Sequence, residues 1–227
     1  YIRLYEIHIK PHFEKKHLDT IKPSDLARWQ NTLLAKVTGK TVKGIRTVFY
    51  TIFEDARKDE IINKNPFTLI RSPKTEDFRV KNPFSVEEIF AILKTMPHHI
   101  RAFFAIGFFT GLRTGEIIGL KWEDFDFEDK SFRVERSRRQ VMETLPKTKN
   151  SVRTVEIINT LMPYLLEHRK LSSKNSTYLF ETYMGEPYNT CDKISSHYWK
   201  PTLKKLGIPY RNLYQMRHSF ASLMISN

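Results

Sequence analysis

The chain has 227 residues, of which 40% are hydrophobic and one is cysteine. That leaves room for one large domain or two ordinary ones with real cores, and it excludes a disordered chain and an intrachain disulfide. The net charge of +13 is spread along the chain, with 17 basic and 10 acidic side chains in residues 1–83 and 21 and 15 in the rest.

Residues 1–75 read as helices joined by short turns. Pro23-Ser24-Asp25 opens one, with Ser24 or Asp25 as N-cap, and Leu26, Trp29, Leu33 and Leu34 follow at helical spacing. Gly39-Lys40-Thr41 is a positively charged turn leading into Val42, Ile45, Val48, Phe49, Ile52 and Phe53, an amphipathic pattern with period near 3.6. Lys40, Lys43 and Arg46 cluster at that helix's start, where free amides also favour anions, so phosphate contact is expected of them. Arg57 and Lys58, near its end, read as a solvated face. Asn63 to Phe67 closes the helix, and the polar, proline-punctuated stretch after it places a linker at 76–83 between a first domain (1–75) and a second (84–227).

Ser85 and Glu88 form a capping-box pattern ahead of an apolar run. The apolar stretch Ile100–Phe109 then reads as a buried helix stopped by Gly111, and Arg113 follows at once. A guanidinium wedged between two apolar elements needs an anionic partner, because an unpaired buried charge costs several kcal/mol, or about 3–5 when a partner is removed. Glu116, three residues on, is the candidate. On these residues alone, an internal pair pinning two helices is as good a reading as a functional arginine.

Trp122 to Lys130 is an acidic turn region. Ser131–Val141 reads as a strand, in which Arg133, Arg136, Arg138 and Arg139 are equally a solvated sheet face or a contact to a nucleic-acid backbone. Residues 146–158 read as a basic turn and a second strand with Val155 and Ile157 on one face. Leu161–Leu171 and Lys193–Leu206 read as helices, the first disturbed at its start by Pro163 and the second ended by Gly207, with irregular chain over 172–190. In the last segment Met216, Phe220, Leu223 and Met224 share a helical face, with Arg217 and His218 beside it. Trp122 and Trp199 read as core residues.

The basic excess in both parts suggests an extended positive surface, and nucleic acid is its default partner because each neutralised phosphate releases condensed counterions. No apolar run approaches about 20 residues, so no membrane span is expected. Tyr1 opens no signal-peptide pattern, and a lone Cys191 suits a reducing, cytoplasmic setting. A chain that starts at Tyr is expected to be part of a longer one. No Asp/Glu or Cys/His cluster has convincing metal spacing; His8 and His12, four apart, read as an exposed pair.

Three stretches together resemble the tyrosine recombinases, the phage integrase family: Thr110–Glu116 with Leu120–Asp124, then Pro146–Arg153, then Met216–Ser222. The helical region ending Lys64-Asn65-Pro66 is similar to that family's core-binding domain. The resemblance spans nearly the whole chain, and three ordered motifs are far more specific than one. It implies a mainly α fold with a small antiparallel β-sheet, a helical core-binding domain followed by a catalytic domain. It further implies a recombinase that cleaves and rejoins double-stranded DNA through a 3′-phosphotyrosine, as a homo-oligomer (a tetramer) on DNA, without metal or cofactor. Arg113 and Arg217 would be the two catalytic arginines, Lys147 the lysine of the strand turn, and Glu116 the support of the first arginine. Tyr214 stands where the family usually has a histidine, and His218 accompanies the second arginine. Arg136 and Arg138 join Lys40, Lys43 and Arg46 as expected DNA contacts. The family's nucleophilic tyrosine lies a few tens of residues past the second arginine, beyond Asn227. The chain as given is thus expected to bind DNA without forming a covalent link, and a non-catalytic DNA-binding protein with the same fold is the rival reading.

Those residue types suit the chemistry. Attack on a phosphodiester builds charge on the non-bridging oxygens, which forked guanidiniums fit better than an ammonium does. A lysine can protonate the departing 5′ oxygen, and a tyrosine can store the bond energy covalently.

Overall fold

The computed structural model describes residues 1–74, 82–139, 142–144, 152–173 and 175–226. It divides into two compact units, Tyr1–Arg79 and Val80–Asn227.

The first unit is helical. Helix α1 (Ile2–Leu4) continues through a π turn, Tyr5–Ile9, into α2 (Lys10–Phe13). The wide turn has a local cause: Pro11 cannot bond the carbonyl four residues back and its ring would strike it, so the N–H of Lys10 bonds one residue further back, to Tyr5. Helix α3 (Pro23–Leu34) starts earlier than the Ser24 or Asp25 cap expected. Lys22 is its N-cap, Pro23 occupies the first turn, and the Asp25 carboxylate accepts from the Lys22 N–H at 3.2 Å. Thr38 caps α4 (Gly39–Lys58), accepting from the Thr41 N–H. Leu26, Trp29, Leu33, Ile45, Phe49 and Phe53 interlock as a core, with Trp29 meeting Phe49 edge-on at 5.4 Å and Phe49 meeting Phe67 at 5.6 Å. Such edge-to-face pairs add about 0.5–1.5 kcal/mol each beyond burial.

Arg46 does not fit the phosphate contact expected of it. Its guanidinium donates to Gln30 Oε1 at 2.6 Å and to the carbonyls of Ile70 at 2.6 Å and Phe67 at 3.2 Å, and it lies over the Phe67 ring. Two turns into α4, it faces the 66–71 segment and takes up the carbonyls of Phe67 and Ile70 at the end of the short 3-10 turn Pro66–Leu69. Lys40 and Lys43, on the first turns, are exposed. Arg57 and Lys58 pair on the surface with Glu54 and Asp55.

In the second unit, Ser85 and Glu88 close the capping box that starts α5 (Val86–Thr95), with the Glu88 N–H on Ser85 Oγ at 3.2 Å and the Ser85 N–H on Glu88 Oε2 at 2.9 Å. Helix α6 (His98–Thr110) is the centre of the unit, buried without a break from Ala102 to Phe108, as a helix apolar on every side must be. The short α7 (Thr114–Ile117) follows. Strands β1 (Phe125–Asp126), β2 (Ser131–Val134) and β5 (Arg153–Glu156) form an antiparallel sheet in the order β1-β2-β5, with Phe132 opposite Val155. The strand expected over 131–141 stops at Val134. Its continuation, β3 (Ser137–Arg139), pairs with β4 (Met142–Thr144) in a separate ribbon. Gly115 of α7 sets that break. A Cβ there would lie 2.7 Å from Ser137 Oγ and 3.0 Å from the Arg138 carbonyl, so β3 is pressed onto α7 instead of extending β2.

Pro163 sits in the first turn of α8 (Met162–Leu171), where its missing N–H is harmless. Helix α9 (Asp192–Ile194) passes through a second π turn, Ser195–Trp199, into α10 (Lys200–Lys205), and again the residue before a proline, Lys200, bonds five back, to Ser195. In α11 (Gln215–Ser226) the inward stripe is Met216, Ser219, Phe220 and Leu223, whereas Met224 is exposed. The stripe is rotated by Ser219, whose buried hydroxyl accepts from the Phe84 N–H at 2.8 Å and donates to the Gln215 carbonyl at 2.9 Å.

Two stability measurements follow from this packing. Gly111, at the end of α6, has φ +63°, and an added Cβ would overlap Phe220 Cδ1. Gly111→Ala therefore combines a left-handed backbone penalty with overpacking, and a loss of about 3 kcal/mol is expected in denaturant unfolding. His168 is buried, stacked on Trp122, with Nε2 2.6 Å from the Leu179 carbonyl. Burial holds its pKa below the usual 6.5, outweighing the carbonyl's opposite pull. Below pH 6.5 the unfolded chain takes up a proton that the folded one refuses, so this residue's contribution is complete above that pH and falls as pH drops toward the folded value. Replacing it by Gln should flatten the slope of unfolding free energy against pH in that window.

Candidate active site

The site is built on the turn that ends α6. Helix α6 cannot continue past Thr110 because Gly111 takes the left-handed conformation. The chain then extends through Leu112 and Arg113 before α7 begins, leaving Arg113 as the N-cap residue of α7. Glu116, in the first turn of α7, folds back. Its Oε2 accepts the Arg113 backbone N–H at 2.9 Å and its Oε1 accepts Arg113 Nη1 at 2.9 Å. The carboxylate is 6% exposed, yet the Arg113 side chain is 56% exposed. The internal pair foreseen from spacing is thus present, and it leaves most of the guanidinium facing outward.

A second cation closes on Glu116 from the sheet. Arg153 of β5 places Nη2 2.9 Å from Oε2 and Nη1 3.4 Å from Oε1. Burial pushes the carboxyl's pKa up, but the donors of Arg153, then the N–H and guanidinium of Arg113, bring it below the ordinary glutamate value. In the sequence Arg153 stands out only as the end of a motif. The signal that could have found it was strand parity, since Arg153 shares the inward face of β5 with Val155.

Arg217 reaches the same turn from α11. Its Nη1 donates to the Gly111 carbonyl at 2.6 Å, which sets its guanidinium against the turn that carries Arg113. The approach depends on small residues: besides Gly111, a Cβ on Gly107 would lie 2.8 Å from Met216 Sδ, so α6 and α11 meet where α6 has no side chains. Tyr214, exposed just before α11, meets His218 in a T-shaped contact at 5.1 Å between centroids, while His218 is half-buried. Lys147 lies outside the described residues.

Arg136 and Arg138 do not form the open basic face expected of them. Arg136 Nη1 is held by both oxygens of Asp124, at 2.8 and 2.6 Å. Arg138 is buried, with Nη2 on Asn189 Oδ1 at 3.0 Å and its guanidinium over the Tyr178 ring. Both sit where β3 turns onto α7, so their charge is spent inside the unit. Arg133, by contrast, is exposed beside Glu135. Cys191 points its sulfur toward the Thr114 carbonyl, and burial pushes its thiol pKa up to about 11, which leaves it a poor nucleophile. Among the described residues no group of three or more His, Cys, Asp or Glu could hold a metal ion, and no helix is long and apolar enough to cross a membrane.

The arrangement therefore presents two guanidiniums at one glycine turn, one held by a buried carboxylate and one by a carbonyl. Such forks suit a tetrahedral oxyanion. Comparison with known proteins gives the family. The phage integrase family profile matches residues 81–227, and the profile of the phage integrase N-terminal SAM-like domain matches residues 1–34. A tyrosine recombinase XerC-like protein of Caldanaerobacter subterraneus is 32% identical over an alignment taking in 96% of this chain and 65% of that protein. The ICEBs1 integrase of Bacillus subtilis is 28% identical, covering 96% of this chain and 63% of its own length. The chain thus spans a little under two thirds of these curated relatives. Among solved structures, the Tn1549 transposon integrase (residues 82–397) superposes with a TM-score of 0.85 at 20% identity, over 99% of this chain and 79% of that one. A lambda integrase chain gives 0.77 at 18%, over 98% and 62%. At those identities the solved structures speak for the fold, while the profile match over most of the sequence speaks for descent: the chain belongs to the phage integrase family of tyrosine recombinases.

Proposed function

We propose that this chain is the core-binding and catalytic part of a site-specific DNA recombinase of the integrase type, acting in the cytoplasm on double-stranded DNA as a homotetramer. The observation that carries the reading is the meeting of Arg113 and Arg217 at the Gly111 turn. The solved relatives support the substrate: the Tn1549 integrase was captured with circular intermediate DNA and a lambda integrase tetramer with a Holliday junction.

In this reading a phosphodiester lies against the Gly111 turn. Arg113 and Arg217 hold its non-bridging oxygens and stabilise the charge that develops as a tyrosine oxygen attacks phosphorus. The phosphotyrosine forms at the 3′ side, and the 5′ oxygen departs with a proton from Lys147. Residues 218–227 contain no tyrosine, and in this reading the attacking tyrosine is one carboxy-terminal to Asn227, as the family resemblance implies. The reverse attack reseals the strand without ATP or metal. In this reading Tyr214, exposed at the position of the family's usual histidine, meets the DNA backbone and leaves proton transfer to Lys147. The first unit grips the duplex with Lys40 and Lys43 at the start of α4.

The test is a suicide-substrate assay on the complete protein with EDTA present. A protein–DNA adduct surviving denaturation and mapping to a tyrosine after Asn227 is the expected result. Duplex binding without an adduct on any cognate site would leave a non-catalytic DNA-binding protein. Arg113→Ala and Arg217→Ala should each slow adduct formation about 100- to 1,000-fold while largely preserving duplex binding; near-normal cleavage by both would remove them from the chemistry. Lys40→Ala with Lys43→Ala should weaken binding to every duplex alike and lower the slope of log K against log salt by about 1.8, or 0.9 for each phosphate left without its lysine.

A further inference from the structure

Glu116 is a buried carboxylate between two cations, and one of them, Arg153, has no part in the chemistry described above. We propose that Arg153 is a positioning residue: by sharing the Glu116 carboxylate it fixes the orientation of Arg113 and keeps the Arg113–Glu116–Arg153 group net positive toward a bound phosphate. The inference rests on reading the Gly111 turn as the phosphate site.

Three observations carry it. First, charge: Glu116 with Arg113 alone is a neutral pair, whose field on a phosphate largely cancels. The second guanidinium, 2.9 Å from Oε2, restores a net charge of +1 around one buried carboxylate. Second, geometry: each carboxylate oxygen accepts from both arginines. Oε1 takes Nη1 of Arg113 at 2.9 Å and Nη1 of Arg153 at 3.4 Å, while Oε2 takes the Arg113 N–H and Nη2 of Arg153, each at 2.9 Å. Such a carboxylate can neither rotate nor release Arg113 without losing Arg153. Third, exposure: Arg153 is 34% exposed against 56% for Arg113, so the pair is ordered, with the inner guanidinium holding and the outer one presented. Arg153 also begins β5, the strand that follows the Lys147 segment in the chain, so the same bond joins that strand to the arginine turn.

The test uses the 227-residue chain and inorganic phosphate as the probe, followed by NMR of the arginine Nε–Hε signals. In the wild-type chain, phosphate should shift the Arg113 and Arg217 signals. Arg153→Ala should weaken that binding about tenfold and broaden or shift the Arg113 signal before any phosphate is added. Arg153→Lys, which can keep one bond to Glu116, should recover part of the loss. In a Glu116→Gln background, Arg153→Ala should weaken binding much less than in the wild type, because the orienting route through the carboxylate is already gone and only one positive charge is lost; a residue that merely stabilises the fold would give the same loss in both backgrounds. Wild-type affinity in Arg153→Ala, or full additivity with Glu116→Gln, overturns the proposal. If phosphate leaves the wild-type Arg113 and Arg217 signals unmoved, the phosphate-site reading fails. The phosphate-free Arg113 signal then still decides the positioning role: unchanged in Arg153→Ala it overturns that role, and displaced it upholds it.

Discussion

The place of Arg113 at the candidate site depends on one buried carboxylate. Glu116 sits at the start of a helix barely one turn long, where it acts as an N-terminal cap and as a counter-ion at once. A helix of four residues has little cooperativity of its own, so its start must be fixed from outside. The Glu116 bonds to the Arg113 backbone and to both guanidiniums supply that fixing. Buried ion pairs contribute modestly to stability once desolvation is counted, but losing one partner leaves an uncompensated charge. The cluster therefore specifies geometry more than it adds stability.

Glycine supplies the second constraint. The two arginines come from segments more than 100 residues apart, and α6 and α11 can approach only because Gly107 and Gly111 present no side chain to Met216 and Phe220. Gly111 serves twice, ending α6 by its left-handed backbone and offering its carbonyl to Arg217. The apolar packing of α11 and the polar hold on Arg217 are thus one arrangement.

Much of this was legible in the sequence, because the signals were local. The Ser85 and Glu88 capping box, the apolar run of α6 and the Gly111 stop each follow from a few adjacent residues, and so did Glu116 as partner of Arg113. The misreadings share a cause. Arg46, Arg136 and Arg138 look like surface charge in the sequence, and each proves to satisfy carbonyls, a carboxylate or a ring brought close by tertiary structure. A basic residue's spacing tells which face it occupies but not whether another segment covers that face. The break at Val134 and the rotation of the α11 stripe toward Ser219 were hidden for the same reason, since Gly115 and the Phe84 amide act on them from far away in the chain.

That last hydrogen bond bears on how the second unit comes to be folded. The Phe84 N–H and the Ser219 hydroxyl are separated by 135 residues, and Arg211 similarly reaches back to the Pro83 carbonyl and the Glu88 carboxylate. A ribosome adding about 5–20 residues per second takes roughly 7–27 s to make the intervening chain. During that interval α6, apolar on all sides, lacks α11 as a cover. The cover that α11 gives α6, and the tie from Ser219 to Phe84, are therefore added last, after α5, α7 and α8 have been made.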